Sequence, residues 1–108
     1  MSKYHNRKTV VNGIKFDSRH EADVYCQLFL LERAGKIKDL RLQVPFVLQD
    51  KFTFQGKVIL PIKYVADFVF IDEEGVEHII DAKGMRTEVY KIKRKMFLNR
   101  YQKNIEEW

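Results

Sequence analysis

The stretch IKYVADFVFID, residues 62–72, constrains this chain more tightly than any other. Val65, Ala66, Phe68 and Val69 mark it as the interior of a strand, yet Asp67 stands among them. A buried charge without partners is costly, so Asp67 needs a lysine, a metal or a set of hydrogen bonds. The sequence that follows offers two of these. Glu73-Glu74-Gly75 fits a three-residue hairpin loop with Gly75 at the left-handed third position, and VEHIIDAK reads as the returning strand. Asp72 then pairs with Val76, paired numbers sum to 148, and Asp67 falls opposite Asp81. Directly opposed residues share a face with side chains roughly 5 Å apart. Two carboxylates so placed repel unless a divalent cation lies between them. Alternation puts Lys83 on the face of Asp81, about 7 Å along. A two-residue loop would instead set Asp67 against Ile80 and send the two acids to opposite faces. His78, in mid-strand, reads as structural.

A third acid comes from the first helix, expected over FDSRHEADVYCQLFLLERAG. Asp17 or Ser18 can cap it, Ser18 and Glu21 form a capping-box pattern, and Gly35 is placed to end it. On a helical wheel Glu21 lies on the apolar side, beside Tyr25 and Leu28. It either closes the capping box or reaches a site. The remaining pattern is a hairpin at Asn12-Gly13, a strand DLRLQVPFVLQ made an edge or a bulge by Pro45, and an excursion around Gln55-Gly56. A second helix TEVYKIKRKMFLNRYQ follows, with Val89, Ile92, Met96 and Tyr90, Phe97, Tyr101 at helical spacing. The tail NIEEW is short enough for one last strand. Helices on either side of an antiparallel meander suggest an α/β sandwich.

At 108 residues the chain suits one domain, spanning 1–108 with 1–7 as a loose arm. It lacks an apolar run of membrane-spanning length and an apolar signal segment. Cys26 is its one cysteine and the three histidines are scattered, so no zinc spacing or internal disulfide arises. A cytoplasmic protein with neither membrane nor small-molecule cofactor is expected. The net charge of +5 is concentrated in two flanks, Lys3 to Arg19 and Lys83 to Lys103, which points to a polyanionic partner. Hard cations such as Mg²⁺ bind through one or two carboxylates plus substrate phosphate. Asp67, Asp81, Lys83 and Glu21 therefore suffice for phosphodiester hydrolysis, with the lysine neutralising charge that builds on the phosphate.

Glu21 in DSRHEADVY, Asp67 in YVADFVF and Asp81-Ala82-Lys83 in IIDAKG come in an order that resembles the PD-(D/E)XK nuclease superfamily. More closely, GIKFDSRHEA, YVADFVF and DAKGMRTEVYKIKRK resemble a group of short phage and prophage proteins of unassigned function, akin to Holliday-junction resolvases. The resemblance covers about residues 4 to 105. It implies a restriction-endonuclease-like αβββαβ core, a mixed central sheet flanked by helices, behind an N-terminal β-hairpin. It implies that Asp67, Asp81 and the backbone carbonyl of Ala82 ligate Mg²⁺ or Mn²⁺. Glu21 would hold a water at the metal or a second metal, and Lys83 would position or activate the attacking water. Gln43 would add a polar group to the site. Lys91, Arg94 and Lys95 would follow the phosphate backbone, with Arg7, Lys8 and Arg19 doing so from the other side. The implied protein is a Mg²⁺-dependent endonuclease acting on DNA, structure-selective and homodimeric, in the cytoplasm of a bacterial host. Ala66 stands where the superfamily name has proline, the first acid of the last motif is Asp81 and not glutamate, and the last strand is short. Two other readings stay open: a non-catalytic nucleic-acid-binding module of this fold, and a structural phage component.

Overall fold

The protein is described by a computed structural model over residues 8–83 and 86–108. The expected arm at 1–7 lies outside the described residues. Turn chemistry forms the first hairpin. Asn12 and Gly13, both with positive φ (51° and 77°), close β1 (Thr9–Val11) onto β2 (Ile14–Phe16). Helix α1 (Arg19–Arg33) starts at Ser18, whose hydroxyl accepts from the Glu21 amide at 3.1 Å. It ends at Gly35, φ 76°, where the Gly35 and Lys36 amides bond back to the Glu32 and Leu31 carbonyls.

A four-stranded sheet follows, in the order β3 (Ile37–Gln49), β6 (Ile62–Asp72), β7 (Glu77–Asp81), β8 (Glu106–Glu107). Its first three strands are antiparallel and β8 joins parallel, so the sheet is mixed. Pro45 is accommodated because β3 is the edge strand. Between β3 and β6 the chain makes a second hairpin, β4 (Phe52–Phe54) and β5 (Lys57–Ile59), turned by Gln55 and Gly56. The β6–β7 turn takes the three-residue form: the Asp72 amide donates to the Val76 carbonyl at 2.9 Å and Gly75 has φ 83°. Phe68 pairs with Ile80 and Val69 with Ile79, the register whose numbers sum to 148. Helix α2 (Glu88–Tyr101) is capped by Thr87 and stopped by Gln102 at φ 55°.

The apolar residues form two clusters. One gathers Phe16, Ala22, Tyr25 and Leu28 from β2 and α1 with Phe68, Phe70 and Ile80 of the sheet. The other gathers Phe97 of α2 and Ile105 with Leu48, Tyr64, Ala66, Val69 and Ile79. Residues two apart on a regular strand share a face, but Leu42 packs into the first cluster and Val44 into the second. Ala66 and Phe68 divide in the same way. The change of side falls at Gln43, whose φ is 53°, and at Asp67 beside it. On α2 the expected apolar stripe is narrower than its spacing implied. Phe97 is buried and Tyr90, Met96 and Tyr101 pack partly, while Val89 and Ile92 lie outward at 62% and 58% exposure. The large rings of Phe97 and Tyr101 stack on each other and meet Phe46 edge-on, and that contact leaves the smaller residues outside.

No helix among the described residues is long and apolar enough to cross a membrane. The far end of the sheet is tied by His78. Its Nε2 meets Asp72 Oδ2 at 2.7 Å and its Nδ1 meets Glu106 Oε2, joining the ends of β6, β7 and β8. The hydrogen bond that His78 donates to Asp72 raises the His78 pKa above its ordinary 6.5, and the same bond lowers that of Asp72 below 3.8. A raised histidine pKa stabilises the fold fully below about pH 6.5, and the contribution is lost as pH rises through the folded value. The lowered Asp72 contribution is lost only as pH falls below its ordinary range. Thermal unfolding followed by circular dichroism is therefore expected to show a melting temperature that falls from pH 6 to pH 9. In His78→Gln that slope should be absent.

Candidate active site

Three acids are buried among the described residues: Glu21 at 3% exposure, Asp67 at 1% and Asp81 at 8%. Two of them meet one lysine. Lys83 Nζ lies 2.8 Å from Glu21 Oε2 and 3.2 Å from Asp67 Oδ1. The contact joins residues 62 positions apart in sequence. Each element contributes for a local reason. Glu21 is in the first turn of α1, on the side that carries Ala22, Tyr25 and Leu28 against the sheet. Its amide completes the Ser18 cap, but its carboxylate turns to Lys83, so only half of the capping box forms. Asp67 sits in β6 where the strand changes sides. Its Oδ2 accepts the Ala82 amide at 2.7 Å, and its Oδ1 takes Gln43 Nε2 at 3.4 Å from β3. Gln43 thus joins the group it was expected to join.

Asp81 ends β7, and its carboxylate is held differently. Oδ2 accepts the Tyr64 hydroxyl at 2.8 Å, and Oδ1 accepts the Lys83 amide at 3.1 Å. Because β7 stops at Asp81, strand alternation does not reach Lys83. Its long side chain swings to α1 while the Asp81 carboxylate meets Tyr64 of the second cluster. Asp67 remains close enough that its charge disfavours ionisation of Asp81. The chain terminus closes the group from outside: the Trp108 amide donates to the Asp81 carbonyl at 3.0 Å, and the Trp108 carbonyl meets His20 Nε2 at 2.9 Å.

Burial raises the pKa of Glu21, against the opposing hydrogen bond from Lys83. Burial likewise raises Asp81, against the hydrogen bond from Tyr64. Burial alone would lower Lys83, but its hydrogen bond to Glu21 and the charge of Asp67 outweigh that and hold it above its usual range. Lys83 is therefore an ammonium at any ordinary pH. The Lys83 ammonium meets two buried carboxylates, Glu21 and Asp67, while the third, Asp81, is held by neutral donors, so the cluster is short of positive charge. Among the described residues no three His, Cys, Asp or Glu side chains converge as a metal-ligating group. The oxygens that could hold a hard cation are those of Asp67 and Asp81 with the Ala82 carbonyl. Two carboxylates are enough for Mg²⁺, which keeps several of its waters.

A family model described as Protein of unknown function (DUF1064) matches residues 1–108. The chain belongs to the DUF1064 family. No curated protein and no solved structure matches it.

In this DUF1064 chain the expected phosphate-binding cations divide into two places. Lys8 and Arg19 line one shallow groove between β1 and α1, with Arg19 3.9 Å from Asp23. Arg7 lies outside the described residues. On α2, Lys95 is exposed and Lys91 pairs with Glu88 at 3.4 Å. Arg94 is half-buried: its Nη2 donates to Asn104 Oδ1 at 3.4 Å, and its Nε is enclosed with no acceptor among the described residues.

Two members of the cluster escaped the sequence reading. Asp17 Oδ2 stands 3.5 Å from Lys83 Nζ, and Tyr64 holds Asp81. In the sequence Asp17 reads as a helix cap, and it flanks the Ser18 that caps α1. Tyr64 carries the periodicity of a core aromatic, and nothing local distinguishes a tyrosine whose hydroxyl has a buried partner. Tyr64→Phe should leave the second cluster packed but strip Asp81 Oδ2 of its donor. A buried acceptor left unsatisfied costs about 1–3 kcal/mol. Urea unfolding of the variant should show a loss of that size with an unchanged denaturant slope.

Proposed function

We propose that this chain is a metal-dependent nuclease of the PD-(D/E)XK type that hydrolyses phosphodiester bonds in DNA. The observation that carries the reading is the convergence of Glu21, Asp67 and Lys83 from a helix, a central strand and the end of the next strand. The element order α1, β3, β6, β7, α2, β8 supports a restriction-endonuclease-like core, the two hairpins being additions to it.

In this reading Asp67, Asp81 and the Ala82 carbonyl hold Mg²⁺ or Mn²⁺. When bound, the ion supplies positive charge to the phosphoryl oxygens and acidifies water. The other roles belong to the chain. Glu21 accepts a hydrogen bond from the attacking water and sets its direction. Lys83, held as an ammonium, donates to that water or to the phosphate and offsets the charge that develops there. Gln43 and the Ala82 amide fix Asp67, and Tyr64 fixes Asp81. Cutting both strands of a duplex calls for two copies about a two-fold axis, matching the antiparallel strands. Recognition by shape is the proposed basis for substrate choice, and branched DNA is the preferred substrate.

Labelled linear and branched DNA incubated with Mg²⁺ or Mn²⁺ tests this. The wild type is expected to cut. Asp67→Asn and Lys83→Met should each lower the single-turnover rate by about a hundredfold or more. Absence of cleavage by the wild type, or cleavage undiminished in both variants, would sink the proposal. Binding without cleavage would move the protein to the non-catalytic class.

A further inference from the structure

The β4–β5 hairpin has no use in the site just described. Residues 51–60 are exposed without a break, although they include Phe52, Phe54, Val58, Ile59 and Leu60. The register pairs Phe52 with Ile59 and Phe54 with Lys57. Alternation therefore puts Phe52, Phe54, Lys57 and Ile59 on one side of the ribbon. The two rings are 45% and 59% exposed. A two-stranded hairpin is marginal in water by itself, and large apolar side chains gathered on one side call for a covering partner.

The charge of the segment selects that partner. From residue 51 to residue 63 there are three lysines, Lys51, Lys57 and Lys63, and no acid. Among the described residues none of the three takes part in an ion pair; the adjacent Asp50 is already engaged by Arg100 at 3.3 Å. Two such ribbons meeting about a two-fold axis would oppose like charges, which disfavours a second copy as the occupant. A polyanion with flat apolar faces satisfies both the lysines and the rings. Two-stranded ribbons fit the major groove, phenylalanines wedge between base steps, and aromatic side chains stack on unpaired bases.

We propose that the ribbon Phe52–Ile59 is a DNA-contacting arm in which Phe52 and Phe54 stack on bases exposed at a branch or an unpaired end, while Lys51, Lys57 and Lys63 contact the flanking phosphates. The proposal rests on the nuclease reading for the identity of the polyanion. It assigns the preference for branched DNA to an element separate from Glu21, Asp67, Asp81 and Lys83. The arm leaves from the end of β3 and returns into β6, the two strands that carry Gln43 and Asp67. A stacked branch point is thereby held at a fixed distance along the sheet from the acids.

The test measures binding in EDTA, apart from any cleavage. Fluorescence anisotropy compares a Y-shaped DNA bearing 2-aminopurine at its branch with a linear duplex of equal length. The wild type should prefer the branched DNA and change the 2-aminopurine emission on binding. Phe52→Ala with Phe54→Ala should lose affinity for branched DNA by about tenfold per ring, lose the emission change, and bind the linear duplex within about twofold of wild type. The paired Phe→Tyr variants, which keep a stacking ring, should retain both properties and report on any loss of folding. Lys57→Glu should weaken both DNAs and flatten the salt dependence by about one charge. The proposal is overturned if the double alanine variant keeps its branched-DNA affinity, if the wild type binds neither DNA, or if sedimentation shows that variant losing a wild-type dimer. Cleavage assayed separately with Mn²⁺ keeps the two ideas apart. An arm effect without cleavage removes only the nuclease reading, and cleavage without an arm effect removes only the arm.

Discussion

One ammonium shared between buried carboxylates is the constraint on which this structure turns. Asp67 is 1% exposed in the middle strand pair, and Glu21 is 3% exposed under the first helix. Neither position tolerates an unpaired charge. Lys83 satisfies both only if α1 lies over the end of β7, at the height where β6 carries Asp67. The distances of 2.8 and 3.2 Å therefore fix the helix against the sheet in rotation and in height, which apolar packing alone does loosely. The half-exposed lysine brings the charge in from solvent, so the pair avoids the full cost of burying both partners.

The sheet makes room for these groups by changing sides. Leu42 and Val44, and likewise Ala66 and Phe68, pack into different clusters although each pair is two residues apart. Gln43 takes a left-handed φ of 53° at that point, and a non-glycine residue there is uncommon and strained. The strain coincides with the buried polar cluster: Gln43 donates to Asp67, and Asp67 accepts from Ala82. Between the two apolar clusters lies the one row of the central strands where polar side chains displace no core packing.

Much of this was legible in the sequence because it was local. Asn12-Gly13, Gln55-Gly56 and Gly75 announce turns by their φ requirements, and the Gly75 turn in turn fixes the β6–β7 register and brings Asp67 toward Asp81. Glu21 on the apolar side of a helix was a contradiction that only a distant cation could resolve. The remainder was not local. The left-handed Gln43 has no signal of its own, since it stands in mid-strand with no glycine beside it, unlike Gln55. The partnership of Tyr64 with Asp81 spans two strands and leaves the tyrosine's core periodicity unchanged. The outward Val89 and Ile92 carry a correct helical period but lose to larger rings for the same space, a competition that spacing does not encode.

The chain's charge is arranged in opposition. Acids are gathered where the three elements meet, and the lysines of the ribbon and of α2 lie outside them. A phosphodiester drawn in by the lysines would find, at the buried group, more negative than positive charge. The single positive charge of Lys83, shared by Glu21 and Asp67, balances only one of the three buried negative charges. Unless protons or a cation answer the others, the cluster repels the group that the rest of the surface attracts. The deficit adds, through the charge of Asp67, to the burial that chiefly raises the pKa values of Glu21 and Asp81. A divalent ion between Asp67 and Asp81 would remove it, and would leave Lys83 free to exchange part of its contact with Glu21 and Asp67 for a phosphate oxygen. If the proposed nuclease reading holds, the ion pairs around Lys83 are the resting arrangement of a site whose charge balance a cation and a phosphate would complete.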